Sequence, residues 1–166
     1  MLVNLKFPDK VQLLNDPNIW IGDTAATVHM TPYSVGMIQQ ECNGSQQGIT
    51  VGNGTQEKTV MQGTIKGNIV NKNGVKLGVA MLTDVSYAPT LKFNLCSLSK
   101  LTVNGWKMEG DASCITMKKK GRVLIFDIVV RTTTGLVFCM YLERVNNEFS
   151  FSTITNRVPW SLLEAH

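Results

Sequence analysis

Short runs rich in Val, Ile, Leu and Thr recur along the chain, interrupted at brief intervals by Gly and Asn. Runs of that length predict strands, because β-branched side chains suit a pleated sheet while Gly and Asn tolerate the backbone of tight turns. The pattern predicts a core strand over 18–21, a short turn or strand over 33–38 and a polar loop over 39–47. Residues 49–51 and 58–61 then read as a hairpin around Gly52-Asn53-Gly54. A second hairpin joins 63–70 to 75–82 through Asn71-Lys72-Asn73-Gly74, whose closing Asn-Gly favours positive φ. After Gly105, strands are expected over 106–108, 114–117, 122–130 and 136–142. Their turns fall at Glu109-Gly110-Asp111, at Lys118-Lys119-Lys120 and at Thr132-Thr133-Thr134-Gly135. Residues 1–17 form a lead, an outer strand or a linker, closed by the turn signal Asn15-Asp16-Pro17; residues 146–156 read as polar linker and Pro159 to His166 as the start of a helix. No repeat of fixed period is present.

Composition narrows the class. With 166 residues, 43% hydrophobic and 17% charged, the chain can bury a substantial core with one appendage and is not a disordered one. The net charge of +4 has one dense cluster, Lys118 to Lys120 beside Gly121, expected as a solvated hairpin tip. Nucleic-acid contact would want interleaved aromatics and is not expected of this fragment. Cys42, Cys96, Cys114 and Cys139 form no Cys-x-x-Cys pair, which argues against a zinc knuckle or redox motif. No apolar run is long enough for a signal peptide or membrane span, so an intracellular protein with reduced thiols is expected. Asn43-Gly44-Ser45 and Asn53-Gly54-Thr55 are then turns rather than glycosylation sites.

The chemistry concentrates in Trp20-Ile21-Gly22-Asp23-Thr24-Ala25-Ala26-Thr27, which sets an Asp-Thr pair on a tight turn behind an apolar strand. With the following Val28-His29-Met30-Thr31, it resembles the active-site segment of the aspartic protease of copia-type retrotransposons, except that the family has glycine where Ala25 stands. Residues 82–101 resemble the family's downstream signature, in which a strand ending at Tyr87-Ala88-Pro89 leads through Asn94-Leu95-Cys96-Ser97-Leu98 into a short helix. Residues 105–145 resemble the segment between protease and integrase, and His166 matches the first histidine of the integrase zinc module.

The resemblance implies an all-β fold with one or two short helices: a retropepsin-like, acid-protease β-barrel half over 18–104, with a C-terminal β-hairpin extension over 105–145. It further implies an aspartic endopeptidase that processes a retrotransposon polyprotein within a virus-like particle, without metal or cofactor. Two carboxylates about 3 Å apart share one proton, one acting as base and one as acid. A chain with one Asp-Thr site supplies half of that pair, so Asp23 must meet its symmetry mate in a homodimer. Thr24 is expected to bond across the two-fold axis. Ala25 and Ala26 complete the loop, Ala25 adding a methyl group where the family has none, and a backbone cost if its φ is positive. Gly52, Asn53 and Gly54 are either the tip of a flap that closes on the peptide or an ordinary hairpin turn. Leu95-Cys96-Ser97-Leu98 is expected to support the loop from behind, His29 to make a structural hydrogen bond, and Asp84 to sit at a strand end as a turn or capping residue. Two alternatives stand beside the enzyme: a weak or inactive dimerisation or peptide-binding module, and a nucleic-acid-facing role for 105–145 carried by Lys118 to Lys120, Arg122 and Arg131.

Overall fold

The computed structural model describes residues 10–40, 48–50, 56–58 and 61–145. A 3-10 helix, Lys10–Asn15, precedes β1 (Ile19–Asp23), β2 (Met30–Thr31), β3 (Met37–Gln40), β4 (Gly48–Thr50), β5 (Gln56–Lys58), β6 (Met61–Val70), β7 (Lys76–Tyr87) and β8 (Asn94–Ser97). The helix α1 (Leu98–Val103) leads on to β9 (Lys107–Gly110), β10 (Ile115–Lys119), β11 (Arg122–Phe126), β12 (Ile128–Thr132) and β13 (Gly135–Arg144). The expected all-β class, with few and short helices, is the one adopted.

Eight strands form a sheet in the order β12-β13-β1-β8-β2-β7-β6-β3, and β13 pairs again with β6. That second pairing closes β13, β1, β8, β2, β7 and β6 into a barrel, which leaves no free outer strand among those six over the paired stretches. Gly67 stands opposite Arg144 where β6 meets β13; a Cβ at Gly67 would run into the Glu143 carbonyl, so only glycine permits this closure. β11-β10-β9 form a separate small sheet that packs over the barrel. Its Met117, Leu124 and Phe126 share one core with Trp20, Ile65, Leu82, Met140 and Leu142.

The turns follow their local chemistry. Asn71 accepts from Gly74 N at its carbonyl and from the backbone N–H groups of Asn73 and Val75 at its side chain, which fixes the β6–β7 turn. At the expected lysine tip, Lys120 and Gly121 both have positive φ (48° and 78°), the geometry of a two-residue turn matched to strand twist.

Several expectations change. The strand read over 122–130 is two strands that break at Asp127 and enter different sheets, because Leu124 and Phe126 bury in one core cluster while Ile128 and Val130 bury in another. The division at 104 does not divide the packing: β13 lies between β12 and β1, and residues from both sides of 104 fill one core. The end of the lead is neither strand nor linker but the 3-10 helix, which buries Leu14 against Ile19, Ile128 and Val130. The expected linker from 146 and the helix from Pro159 lie outside the described residues.

Candidate functional site: the Asp23 turn

Strand β1 reaches Asp23 through Ile19 and Trp20, both buried, between β13 on one side and β8 on the other. The pairing with β8 is parallel and sets Gly22 opposite Cys96 and Asp23 opposite Ser97. A central strand that ends abruptly at a carboxylate holds it on rigid backbone, while the turn beyond stays at the surface. Asp23 is half-buried; Thr24 and Ala25 are exposed; Ala26 is fully buried. Asp23 Oδ1 accepts the backbone N–H of Ala25 at 2.8 Å, an Asx-type turn that orients the carboxylate without a second side chain.

The turn is braced from behind by the β8–α1 junction. Ser97 is the N-cap of α1: its Oγ accepts from Lys100 N at 3.0 Å and donates to the Ala26 carbonyl at 2.5 Å. Ser99 Oγ donates to the carbonyl of Thr24. Cys96, Ser97 and Leu98 are buried, in the supporting position expected of them. Ala26 and Met30 pack with Val28, Leu91 and Leu95 beneath the loop. Every carbonyl so held reduces the turn's freedom, and Ser99, one residue past the run that ends at Leu98, is a support that no motif marks.

His29 makes the structural bond foreseen for it: Nδ1 accepts Ser97 N at 2.9 Å, which leaves the remaining N–H on Nε2. Burial, and then the charge of Lys100, hold the imidazole at about 3. The unfolded chain takes up this proton near the ordinary value of about 6.5, so the contribution to stability is complete above that pH and is lost as pH falls towards 3. Over that window the slope is about 1.4 kcal/mol per pH unit. His29→Asn keeps an acceptor near the Nδ1 position without titrating there, and its urea-unfolding free energy is expected to lose this acid dependence between pH 4 and 6. Parallel pH profiles for wild type and variant would contradict the assignment.

Ala25 is not in the left-handed region; among the described residues only Asp84 and Lys120 have positive φ without being glycine. The backbone cost feared for Ala25 is therefore absent, and only its exposed methyl group distinguishes it from glycine. Asp84 lies inside β7 and not at its end, at a bulge where the register with β6 shifts between Gly63 and Ile65. Its carboxylate is 3.9 Å from Lys100 Nζ, and Lys100 also donates to the Thr83 carbonyl at 2.9 Å. Burial lowers the Lys100 pKa, with Asp84 opposing that shift.

A second support was not legible from motifs. Arg144, at the end of β13, is buried and spends all five guanidinium N–H groups: Nε on the Pro17 carbonyl, Nη1 on those of Tyr33 and Val35, Nη2 on Thr31 Oγ1 and Asn94 Oδ1. Asn94 in turn donates to the carbonyls of Pro17 and Ile19. The end of β13 thus pins the approach to β1, β2 and β8. Burial brings Arg144 down to about 10, which leaves it charged at neutral pH.

The structure brings together Asp23, Thr24, Ala25 and Ala26. Gly52, Asn53 and Gly54 lie outside the described residues. On either side of them in sequence, β4 and β5 pair antiparallel, Gly48 opposite Lys58 and Thr50 opposite Gln56. They lie in sequence between β3 and β6, which are themselves paired. Among the described residues no three His, Cys, Asp or Glu side chains gather as a metal site. No described helix is long and apolar enough to cross a membrane. Cys96, Cys114 and Cys139 are free thiols, with Cys96 and Cys139 pushed up to about 12 by burial.

A family model described as Pol polyprotein, beta-barrel domain matches residues 20–106, just over half of the chain. No curated protein and no solved structure matches the chain significantly.

Proposed function

We propose that this chain, which belongs to the Pol polyprotein beta-barrel domain family, is an aspartic endopeptidase that processes the polyprotein of a retrotransposon as a homodimer. The observation that carries the reading is the Asp23 turn: one carboxylate at the end of a central barrel strand, braced from behind and exposed at Thr24 and Ala25. The exposed tip is the part that two protomers would bring together, placing Asp23 beside its mate. One carboxylate then takes a proton from water while the other, protonated, donates to the scissile carbonyl. Thr24 would rigidify the paired loops, and the hairpin around Gly52 to Gly54 would cover an extended segment of polyprotein. The reading needs no cofactor and sets the activity inside the cell, in a virus-like particle.

The test is a precursor carrying flanking polyprotein sequence, incubated with wild-type or Asp23→Asn protein at a concentration where sedimentation shows a dimer. Cleavage by wild type alone supports the reading; equal processing by both, or none by either, overturns it.

A weak or inactive module that keeps the fold for dimerisation or peptide binding is the second reading, and Ala25 favours it. One added methyl in a crowded interface costs about 1–3 kcal/mol. Ala25→Gly is accordingly expected to tighten the dimer by about tenfold and to speed cleavage. Unchanged dissociation constants would show that crowding at this loop is not what limits the protein.

A further inference from the structure

Two strand edges face one cleft. Over 77–83, β7 pairs with β6 on one side only, since β2 meets it at Ser86 and Tyr87 alone. β11 is the outer strand of its small sheet and pairs only with β10. The cleft, about 770 Å³, is lined by the consecutive residues 77–83 and 121–124. Successive side chains of a strand point to opposite faces, so a strand contributes consecutive residues to a space when it turns its edge towards it. Leu101 and Trp106 border the same space.

The side chains add a chemical preference. Leu77, Val79 and Met81 are 48%, 61% and 56% exposed, a row of apolar groups left open beside a well-packed barrel. The charged residues lining the cleft, Lys100, Lys119 and Arg122, are all cationic. Lys100 is spent on the carbonyls of Thr83 and Asp84, and so closes the β7 edge at that end; Lys119 donates to the Asn104 carbonyl. Arg122 lies over the Trp106 ring, 5.4 Å from its centroid, presenting its guanidinium to the cleft without a carboxylate among its described contacts.

We propose that this cleft binds an extended peptide of a protein partner as an added strand, held between β7 and β11 and selected for acidic side chains alternating with apolar ones. Residues 77–82 offer about 20 Å of edge, which fits about six extended residues. Main-chain hydrogen bonds would supply affinity, the apolar row and Arg122 the selectivity. A nucleic acid has no amide ladder to satisfy two strand edges. The site is distinct from the Asp23 turn, although His29 borders it.

The probe is an end-blocked hexapeptide of alternating valine and glutamate, titrated into the Asp23→Asn chain and followed by backbone amide resonances. Shifts are expected to centre on 77–82 and 121–124, with binding at least tenfold weaker for the valine–lysine peptide and for Arg122→Glu. N–H groups of an extended peptide alternate in direction, so N-methylating either alternate set should abolish binding when both edges are engaged. Insensitivity to one or both sets, equal binding of the lysine peptide, full competition by a single-stranded oligonucleotide, or shifts centred on the Asp23 turn would each overturn the proposal. The titration involves no cleavage, so its failure and the failure of the protease reading are separate results.

Discussion

A chain ended at residue 106, which keeps the whole segment matched by the family, is expected not to fold cooperatively. The truncation removes β13, the antiparallel neighbour of β1 and the strand that closes the barrel onto β6. It also removes Met117, Leu124, Phe126, Met140 and Leu142, five of the thirteen buried residues of the main core cluster. At about 1.5–3 kcal/mol for each buried side chain, that loss is about 7–15 kcal/mol, as large as the whole stability of an ordinary domain. Urea titration followed by tryptophan fluorescence should show a gradual drift in place of a sigmoidal transition. The milder form of the same argument is Arg144→Met in the full chain, which takes one charged donor from each of five oxygen acceptors and is expected to cost about 3–5 kcal/mol. A sharp transition for the truncated chain, or an Arg144→Met variant as stable as wild type, would mean that the barrel does not depend on β13.

Asp23→Asn is expected to lower precursor cleavage by at least 10²–10⁴-fold, the usual worth of a general base, with the fold unchanged. The half-buried carboxylate bonds only the Ala25 N–H among its described contacts, and an asparagine oxygen can accept the same bond. The variant should also be dominant. In a tight dimer that needs Asp23 from both protomers, mixing wild type with an equal amount of variant traps half of the active protomers in mixed dimers, so activity falls to about half. A tenfold excess leaves about one-tenth. Unaltered activity in the mixture, with exchange of protomers demonstrated, would exclude a shared dyad even if the variant alone were inactive.

The hairpin chemistry was legible in the sequence because it is local. Asn71 to Gly74 and Lys120-Gly121 carry their turn conformations in their own residue types, and the alternating apolar runs on either side give the strand pairs. The Asp23 turn was legible for the same reason: the apolar strand, the carboxylate and the small residues after it are contiguous, as is the segment from Asn94 to Leu98 that supports it. Residues 122–130 show where such reading stops. Leu124, Phe126, Ile128 and Val130 are all buried at an unbroken spacing of two, so nothing in the pattern signals that the chain changes sheets at Asp127.

The sequence by itself therefore determined the all-β class, the turns at Asn71 to Gly74 and at Lys120-Gly121, and that a single Asp-Thr site ends a core strand. Only the tertiary structure decided that the barrel is closed by β13, that Arg144 pins β1, β2 and β8 across separations of 50 to 127 residues, and that two unpaired edges border one cleft. Strand propensity and turn geometry are set by neighbours along the chain. Strand order, closure and the partners of a buried guanidinium depend on pairings between distant residues, for which one sequence carries no local signal.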